Sequence, residues 1–239
     1  MIPTYWWPDI PNAGDLLTGP LLNYFANLSV KWAPVRDARL VCTGSVLEHI
    51  PPGWAGHVLG SGRLLEDSPL NLGGATVHAV RGPLSARGIK GDFALGDPGL
   101  LADEMADIPT RDVELGVVPH WSDTDLAHRW LFEQYSPVVI SAWQDPLKFV
   151  SAIGRCKKIV SSSLHGIILA DAFGIPRRTE ACPRFSQDPR EGAFFKFKDY
   201  NASVGIPFRI GETQAPKRGA VEDRKHEIWD AFRAIGTQL

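Results

Sequence analysis

The segment VSSSLHGIILADAFGIP combines polar residues that can hold an anion with the pattern of an apolar helix. Ser161, Ser162 and Ser163 precede His165 and Gly166. The free N–H groups and the dipole of a helix N-terminus favour an anion, and serine hydroxyls add donors. An imidazole in the first turn can contact a phosphate oxygen, and the anion would keep it protonated near neutral pH. Gly166 leaves room for a ligand. The segment therefore predicts an anion-binding site.

Other polar residues follow short apolar runs along the chain. Ligands of parallel sheets bind at the carboxyl ends of the strands, so residues at such ends are candidates for a site. These candidates are Asn12, Gly14, Asp15, Ser45, Arg81 and His120. Asn12 and Asp15 are equally typical of a turn and a helix cap. The sequence leaves two roles open for Arg81, which are binding of an anionic ligand and formation of a surface ion pair.

The elements that must position these residues alternate between strands and helices. Strand-like runs occur in ARLVCTG, HVLGSG, ATVHAVRG, VELGVVPHW, PVVISAW and KKIVSSS. Helical patterns occur in DLLTGPLLNYFANL, SDTDLAHRWLFEQY, DPLKFVSAIGRC and LHGIILADAFG. This alternation predicts an α/β fold with parallel sheets. We expect two Rossmann-like halves, residues 1–105 and 106–239, that face a cleft, with LADEMADIPTRDVE as the linker candidate.

Two helices carry further signals. Gly19-Pro20 predicts a kink or a late start in the first helix. The segment VEDRKHEIWDAFRAIG predicts a last helix that stops at Gly236. Its expected apolar face comprises Val221, Ile228, Trp229, Phe232 and Ile235.

Composition restricts the functional classes. The chain has 239 residues, 44% hydrophobic and 22% charged, with a net charge of −2. Such a charge gives no reason to expect a nucleic acid partner. The three cysteines, Cys42, Cys156 and Cys182, are widely spaced, which favours free thiols and a cytoplasmic protein. We expect no secretory signal and no transmembrane segment. The basic clusters PRRTEACPR and KFK are typical of solvated faces.

Several common sites are not expected. The sequence has no GxGxxG after its first strand, and no GxxxxGK[ST], HExxH or GxSxG motif. The remaining histidines lack the spacing of metal ligands, so no metal site is predicted. These histidines are His49, His57, His78, His128 and His226. The aromatic pairs in YWW and HW suit either core packing or stacking on a sugar ring.

Taken in order, the motifs resemble a known family. NAGD, TGS, LGSG, RGPLS, GDPGLL, VVPH and SSSLHGIILADAFGIP, from about Asn12 to Pro176, are similar to those of the polysaccharide pyruvyl transferases. The resemblance implies a GT-B-like fold and transfer of a pyruvyl group from phosphoenolpyruvate, the donor substrate, with no other cofactor. The implied acceptor is a sugar of an exopolysaccharide, capsule or cell-wall glycan, commonly lipid-linked at the inner face of the membrane.

The resemblance also implies roles for residues. His165 and Asp15 are then catalytic, with Asp15 as the base or an acceptor contact. The donor side comprises Ser161, Ser162, Ser163, Gly166, His120 and Arg81. The acceptor side, in the N-terminal half, comprises Asn12, Gly14 and Ser45. Ser163 stands where many members have an arginine. Either another residue supplies the positive charge, with Arg81, Arg177 and Arg178 as candidates, or donor use has changed.

Two other functions stay open at this point. A GT-B-type glycosyltransferase would use a nucleotide sugar and would want an acidic residue for the ribose, for which Glu180 is the candidate. Alternatively, the protein is a non-catalytic relative that binds a glycan in the cleft and catalyses no transfer. Phosphate release from phosphoenolpyruvate, release from a sugar nucleotide, or binding without turnover separates the three.

Overall fold

The protein, described here by a computed structural model, is an α/β protein with two mostly parallel sheets. The structure describes residues 1–107, 110–123, 137–182 and 194–239. The predicted α/β class with two Rossmann-like halves is confirmed. The predicted boundary at residues 105 and 106 stays a prediction. The helix predicted from Ser122 lies almost entirely outside the described residues.

The first sheet has six strands, and every pairing in it is parallel. Its strands are β1 (Ile2–Tyr5), β2 (Val30–Trp32), β3 (Leu40–Val41), β4 (His57–Leu59), β5 (Thr76–Val80) and β6 (Ala94–Leu95). Their order is β2-β1-β3-β4-β5-β6. The motifs CTGS, LGSG and RGPLS follow β3, β4 and β5 directly, so their polar residues meet at one edge of the sheet.

The second sheet has five strands in the order β11-β10-β9-β7-β8. They are β7 (Gly116–Val118), β8 (Val138–Val139), β9 (Ile159–Ser161), β10 (Arg177–Thr179) and β11 (Thr213–Gln214). All pairings are parallel except that of β10 with β11. His120 follows β7 and the serine run ends β9, so neighbouring strands bring these residues to the same edge.

Helices cover both sheets. They are α1 (Ala13–Leu16), α2 (Thr18–Ala26), α3 (Pro146–Gly154), α4 (Leu164–Ala172), α5 (Phe195–Ser203) and α6 (Arg218–Gly236), with 3₁₀ helices at Leu47–His49 and Pro98–Met105. The predicted interruption of the first helix occurs at Leu17. Pro20 therefore lies in the first turn of α2, where a missing N–H costs nothing.

One apolar core runs continuously through both halves. Leu59 of the first sheet and Ile159 of the second belong to the same cluster of buried side chains. All nine residues of α4 are buried, and this helix packs against the 3₁₀ helix Pro98–Met105. The start of α4 is thus fixed from several sides.

The last helix differs in one residue from its predicted apolar face. Val221, Ile228, Phe232 and Ile235 are buried, but Trp229 is 40% exposed. Residue 229 lies about 100° around the helix from residue 228, which turns its side chain out of the core. Its ring lies instead under the guanidinium of Arg233, 4.8 Å from the ring centroid. The predicted stop at Gly236 is confirmed.

Candidate active site

A cavity of about 290 Å³ lies where the carboxyl ends of the two sheets approach each other. Residues from both halves of the chain line it. They are Trp7, Asn12, Asp15, Gly44, Ser45, Val46, Glu48, His49, Leu64, His120, Trp121, Ser163, Leu164, His165 and Lys196. Six of the residues predicted from the sequence are thereby brought together: Asn12, Asp15, Ser45, His120, Ser163 and His165.

The N-terminus of α4 forms one wall of the cavity. Ser163 is the N-cap residue, with an extended backbone and no capping hydrogen bond from its side chain. His165, in the first turn, is only 5% exposed. Within the described part of the chain, its Nε2 is buried and has no hydrogen-bond partner. A buried polar atom without a partner costs free energy, so this imidazole is suited to a ligand that supplies one.

Gly14 allows α1 to pack directly on His165. A Cβ at Gly14 would lie 2.0 Å from Nδ1 of His165 and 2.7 Å from its Cβ. No side chain tolerates such distances, because real contacts are about 3.5–4.0 Å. The role predicted for Gly14, contact with the acceptor, gives way to a packing role. This close approach places Asp15 of the N-terminal half beside His165 of the C-terminal half.

Ser161, Ser162 and Gly166 differ from their predicted roles in donor binding. Ser161 Oγ lies 2.8 Å from both Val118 O and Ser163 O, and it accepts a hydrogen bond from Ser163 N. These contacts hold the chain reversal between β9 and α4. A Cβ at Gly166 would lie 2.3 Å from that same hydroxyl. Gly166 therefore serves the packing of helix on strand, and none of the three residues lines the cavity.

Ser162 links the ends of two neighbouring strands. Its hydroxyl donates to Asp123 Oδ2 at 2.7 Å and accepts from the backbone N–H of His120 at 2.9 Å. The ring of His120 is 2.8 Å from Ser122 Oγ through Nδ1. Of the serine run, only Ser163 reaches the cavity, and Ser162 acts through the position of His120.

Arg81 lies behind the cavity wall and is completely buried. Its Nε donates to Asp199 Oδ2 at 3.0 Å, and its Nη1 donates to Ser45 Oγ at 2.5 Å. Its Nη2 donates to the carbonyl oxygen of Arg63 at 2.6 Å. The sequence offered two roles for Arg81, binding of an anionic ligand or a surface ion pair. The structure instead shows a buried ion pair, in which the guanidinium already donates to three acceptors. Arg81 positions Ser45 in the cavity.

The other cation candidates are also engaged away from the cavity. Arg177 is fully buried and donates through Nε and Nη2 to the carboxylate of Asp171, at 3.1 and 3.2 Å. Arg178 donates to Glu180 at 2.5 Å. Glu180, the candidate ribose ligand, does not line the cavity.

Lys196 is the cation that sequence reasoning missed. It comes from the KFK cluster, which was expected to be a solvated face, yet it is 9% exposed and lines the cavity with Ser163 and His165. Its neighbour Lys198 is exposed, as expected. The one available signal was its place between two phenylalanines, Phe195 and Phe197, both of which are buried.

Three titratable groups of the cavity influence one another. Burial raises the pKa of Asp15 to about 7, with Lys196 opposing and Asp97 adding to the shift. Burial and the charge of Arg81 lower the pKa of Lys196 to about 8. Burial, Lys196 and Arg81 lower the pKa of His165 to about 3. Without a ligand, the imidazole is therefore neutral, whereas the sequence predicted a protonated ring in the presence of an anion.

Aromatic side chains form the opposite part of the cavity wall. The rings of Trp7 and His49 lie 5.1 Å apart, and those of His120 and Trp121 lie 5.2 Å apart. Flat apolar faces of this kind pack on sugar rings. One part of the cavity wall thus suits an anion, and another part suits a sugar ring. In the same cavity, Asp15 gains and loses a proton near neutral pH.

The chain was compared with known proteins once this geometry was established. Residues 70–178 match the sequence model of the family described as polysaccharide pyruvyl transferase. This match agrees with the resemblance seen in the motifs.

Two relatives extend the comparison. The succinoglycan biosynthesis protein ExoV of Rhizobium meliloti (strain 1021) is 27% identical, over 99% of this chain and 73% of its own length. The uncharacterized protein L143 of Acanthamoeba polyphaga mimivirus is 30% identical, over 62% of this chain and 55% of its own length. The chain thus spans about half of the viral relative and about three quarters of the bacterial one. None of the helices in the described ranges has the length and apolar character needed to cross a bilayer.

Proposed function

We propose that the protein transfers a pyruvyl group from phosphoenolpyruvate to a sugar hydroxyl, or to a pair of hydroxyls as a ketal, during the synthesis of a bacterial polysaccharide. The observation that carries the proposal is the meeting, in one cavity, of buried His165 at a helix N-terminus with Asp15 from the other half. The match of residues 70–178 to the polysaccharide pyruvyl transferase model and the similarity to a succinoglycan biosynthesis protein support it.

The reaction requires an anion site and proton transfer. A proton adds to the methylene carbon of phosphoenolpyruvate, and positive charge develops on the carbon that bears the phosphate. A sugar hydroxyl forms a bond to that carbon and loses its proton. The bond from this carbon to the phosphate oxygen breaks, and phosphate leaves with a proton. With a single acceptor hydroxyl, the new methyl group then loses a proton and an enolpyruvyl ether forms. For a ketal, a second hydroxyl bonds to the same carbon instead and loses its proton.

The cavity residues fit these steps. The N-terminus of α4 and the imidazole of His165 bind the anionic donor through hydrogen bonds. Asp15, with its pKa raised to about 7, holds a proton part of the time at neutral pH and so exchanges protons with the methylene carbon or a hydroxyl. Trp7 and Trp121 lie where a sugar acceptor can stack.

We place the reaction in the cytoplasm, with an acceptor that is lipid-linked at the inner face of the membrane. All three cysteines, Cys42, Cys156 and Cys182, are free and buried, which is compatible with a reducing compartment. Phosphoenolpyruvate is the only donor that the proposal requires, and no metal ion takes part.

The test is phosphate release in the presence of phosphoenolpyruvate and extracted lipid-linked glycans. We expect release that depends on the acceptor, is lost in His165→Ala, and is kept in Gly73→Ala, where a Cβ meets only open space. Turnover of a nucleotide sugar instead would make the protein a glycosyltransferase. Saturable glycan binding without turnover of either donor would make it a binding protein. Either result would refute the proposal.

A further inference from the structure

Lys196 brings a buried positive charge to the cavity wall at the start of α4. It lies in the first turn of α5, and it shares the wall with Ser163 and His165. Its charge is felt by both His165, whose pKa it lowers, and Asp15, whose pKa it also lowers. A buried ammonium group is stable only near negative charge, and the charge of Asp15 acts on Lys196 in the direction that keeps it protonated.

Two buried networks hold α5 in place. On one side, Asp199 accepts hydrogen bonds from Arg81 at 3.0 Å, from the Ser85 hydroxyl at 2.6 Å, and from the backbone N–H groups of Leu84 and Ser85 at 2.9 Å. On the other side, the Tyr200 hydroxyl donates to Asp171 Oδ2 at 2.9 Å. A lysine at the start of such a helix is held in position before any ligand arrives, which favours binding.

The start of α4 independently points to an anion. The α4 helix is nine residues long, and its N-cap residue Ser163 forms no side-chain capping bond. Its first turn carries the buried Nε2 of His165, which has no hydrogen-bond partner in the described part of the chain. Backbone N–H groups, a helix dipole and an unpartnered imidazole in a cavity wall together favour a negatively charged group.

We infer that Lys196 is a donor-binding residue, and that its ammonium group contacts the anionic end of the donor at the N-terminus of α4 together with His165. The identity of that donor as phosphoenolpyruvate rests on the proposed function. The arrangement of charge specifies a small anion with phosphate or carboxylate oxygens in either case. Lys196 also supplies a positive charge in the cavity wall, where Arg81, Arg177 and Arg178 do not lie.

The inference has a pH signature. Among the described residues, Arg81, Asp15 and Cys182 act electrostatically on Lys196, which acts in turn on His165. Because its pKa is lowered to about 8, the ammonium group loses its proton on mild alkalinisation. Arginine stays charged throughout this range. Donor affinity in the natural protein should therefore decrease above about pH 8, whereas Lys196→Arg should keep the affinity that it has at neutral pH.

The experiment measures binding of phosphoenolpyruvate and, separately, of inorganic phosphate by calorimetry to the full chain. Lys196→Met should weaken both by about tenfold or more. The matched control is Lys198→Met on the same helix, whose exposed side chain should leave both affinities unchanged. Should Lys196→Met fail to fold, the pH profiles of the natural protein and of Lys196→Arg, from about pH 7 to about pH 9.5, decide the question.

The outcomes separate the inference from the proposed function. Unchanged affinities in folded Lys196→Met, or parallel pH profiles for the natural protein and Lys196→Arg, would overturn the inference. Binding of phosphate that depends on Lys196, without binding of phosphoenolpyruvate, would support the inference and reject the proposed donor. A natural protein that binds neither anion would overturn both.

Discussion

Arg81 Nε donates a 3.0 Å hydrogen bond to Asp199 Oδ2, and both side chains are completely inaccessible to solvent. The two residues are separated by 118 positions in the chain. This ion pair therefore fastens α5 to the loop that follows β5. Gly62 and Gly82 make room for it, because a Cβ at either would lie under 2.5 Å from Arg81 or Asp199. Gly62 of LGSG and Gly82 of RGPLS are thus explained by packing.

Replacing Asp199 by alanine should strongly destabilise the protein, since Arg81 is then left buried and unpaired. We expect a loss of about 3–5 kcal/mol in the free energy of unfolding, measured in urea. The control is Asp112→Ala, which breaks an ion pair with Arg155 whose two side chains are about half exposed. Because water screens an exposed pair, its loss should change the free energy of unfolding far less than the loss of Asp199. Equal effects in the two variants would contradict the assignment of Arg81 to the framework.

Replacing Gly14 by alanine should move His165. The added Cβ would lie 2.0 Å from Nδ1 and 2.7 Å from Cβ of that residue, so rotation of the ring alone does not relieve the clash. We expect loss of stability by about 1–3 kcal/mol and an altered imidazole signal in NMR spectra. Gly219→Ala, with no atom near the new Cβ, should leave that signal unchanged.

Asp15 should make stability fall as the pH rises. Its pKa is 3.8 in the unfolded reference and about 7 in the folded protein, so the folded state binds the proton more tightly. The stability that this proton provides is complete below about pH 4 and is lost as the pH passes through about 7. Asp15→Asn should therefore be more stable than the natural protein at pH 8, on the order of 2 kcal/mol, and show little difference at pH 4.

The same variant separates stability from activity. Asp15→Asn should have little or no phosphate-releasing activity at any pH, because asparagine does not exchange protons. Urea unfolding at several pH values, with activity assays on the same samples, measures both effects. A variant that is less stable than the natural protein at pH 8 would refute the burial of a carboxyl group at this site.

His165 should make the stability of the protein fall as the pH falls, which is opposite to the effect of Asp15. Its pKa falls from 6.5 to about 3 on folding, so the unfolded chain binds the proton more tightly. Stability is then complete above about pH 6.5 and declines as the pH falls toward 3. His165→Gln should remove this part of the acid sensitivity. The stability difference between the natural protein and the variant, followed from pH 7 to pH 4, should shift steadily in favour of the variant.

The sequence predicted the alternation of strands and helices correctly, and six of the predicted site residues line one cavity. Apolar runs ended by glycine, serine or histidine located the carboxyl ends of β3, β4, β7 and β9, and the position of His165 followed from the first turn of α4. The strands β1, β2, β6, β10 and β11 were not predicted. Their three, four or two residues give too short a pattern for recognition.

The errors concern residues whose role depends on a distant partner. The sequence showed Arg81 and Lys196 as basic residues near turns or in charged clusters. Their burial follows from the way α5 packs between the two halves, which no local pattern encodes. The serine run was overinterpreted for a related reason. Hydroxyl groups at a strand end can equally stabilise the local backbone: Ser161 holds the chain reversal, and Ser162 links the ends of two neighbouring strands.

The position of α5 in the chain has a practical consequence for protein engineering. The family match ends at residue 178, whereas Lys196 and Asp199 come later and Asp15 comes far earlier. An expression fragment trimmed to the matched segment would lose the cavity cation, the partner of Arg81 and the proton-exchanging carboxyl group together. The shortest useful fragment must therefore begin before Asn12 and continue beyond Ser203.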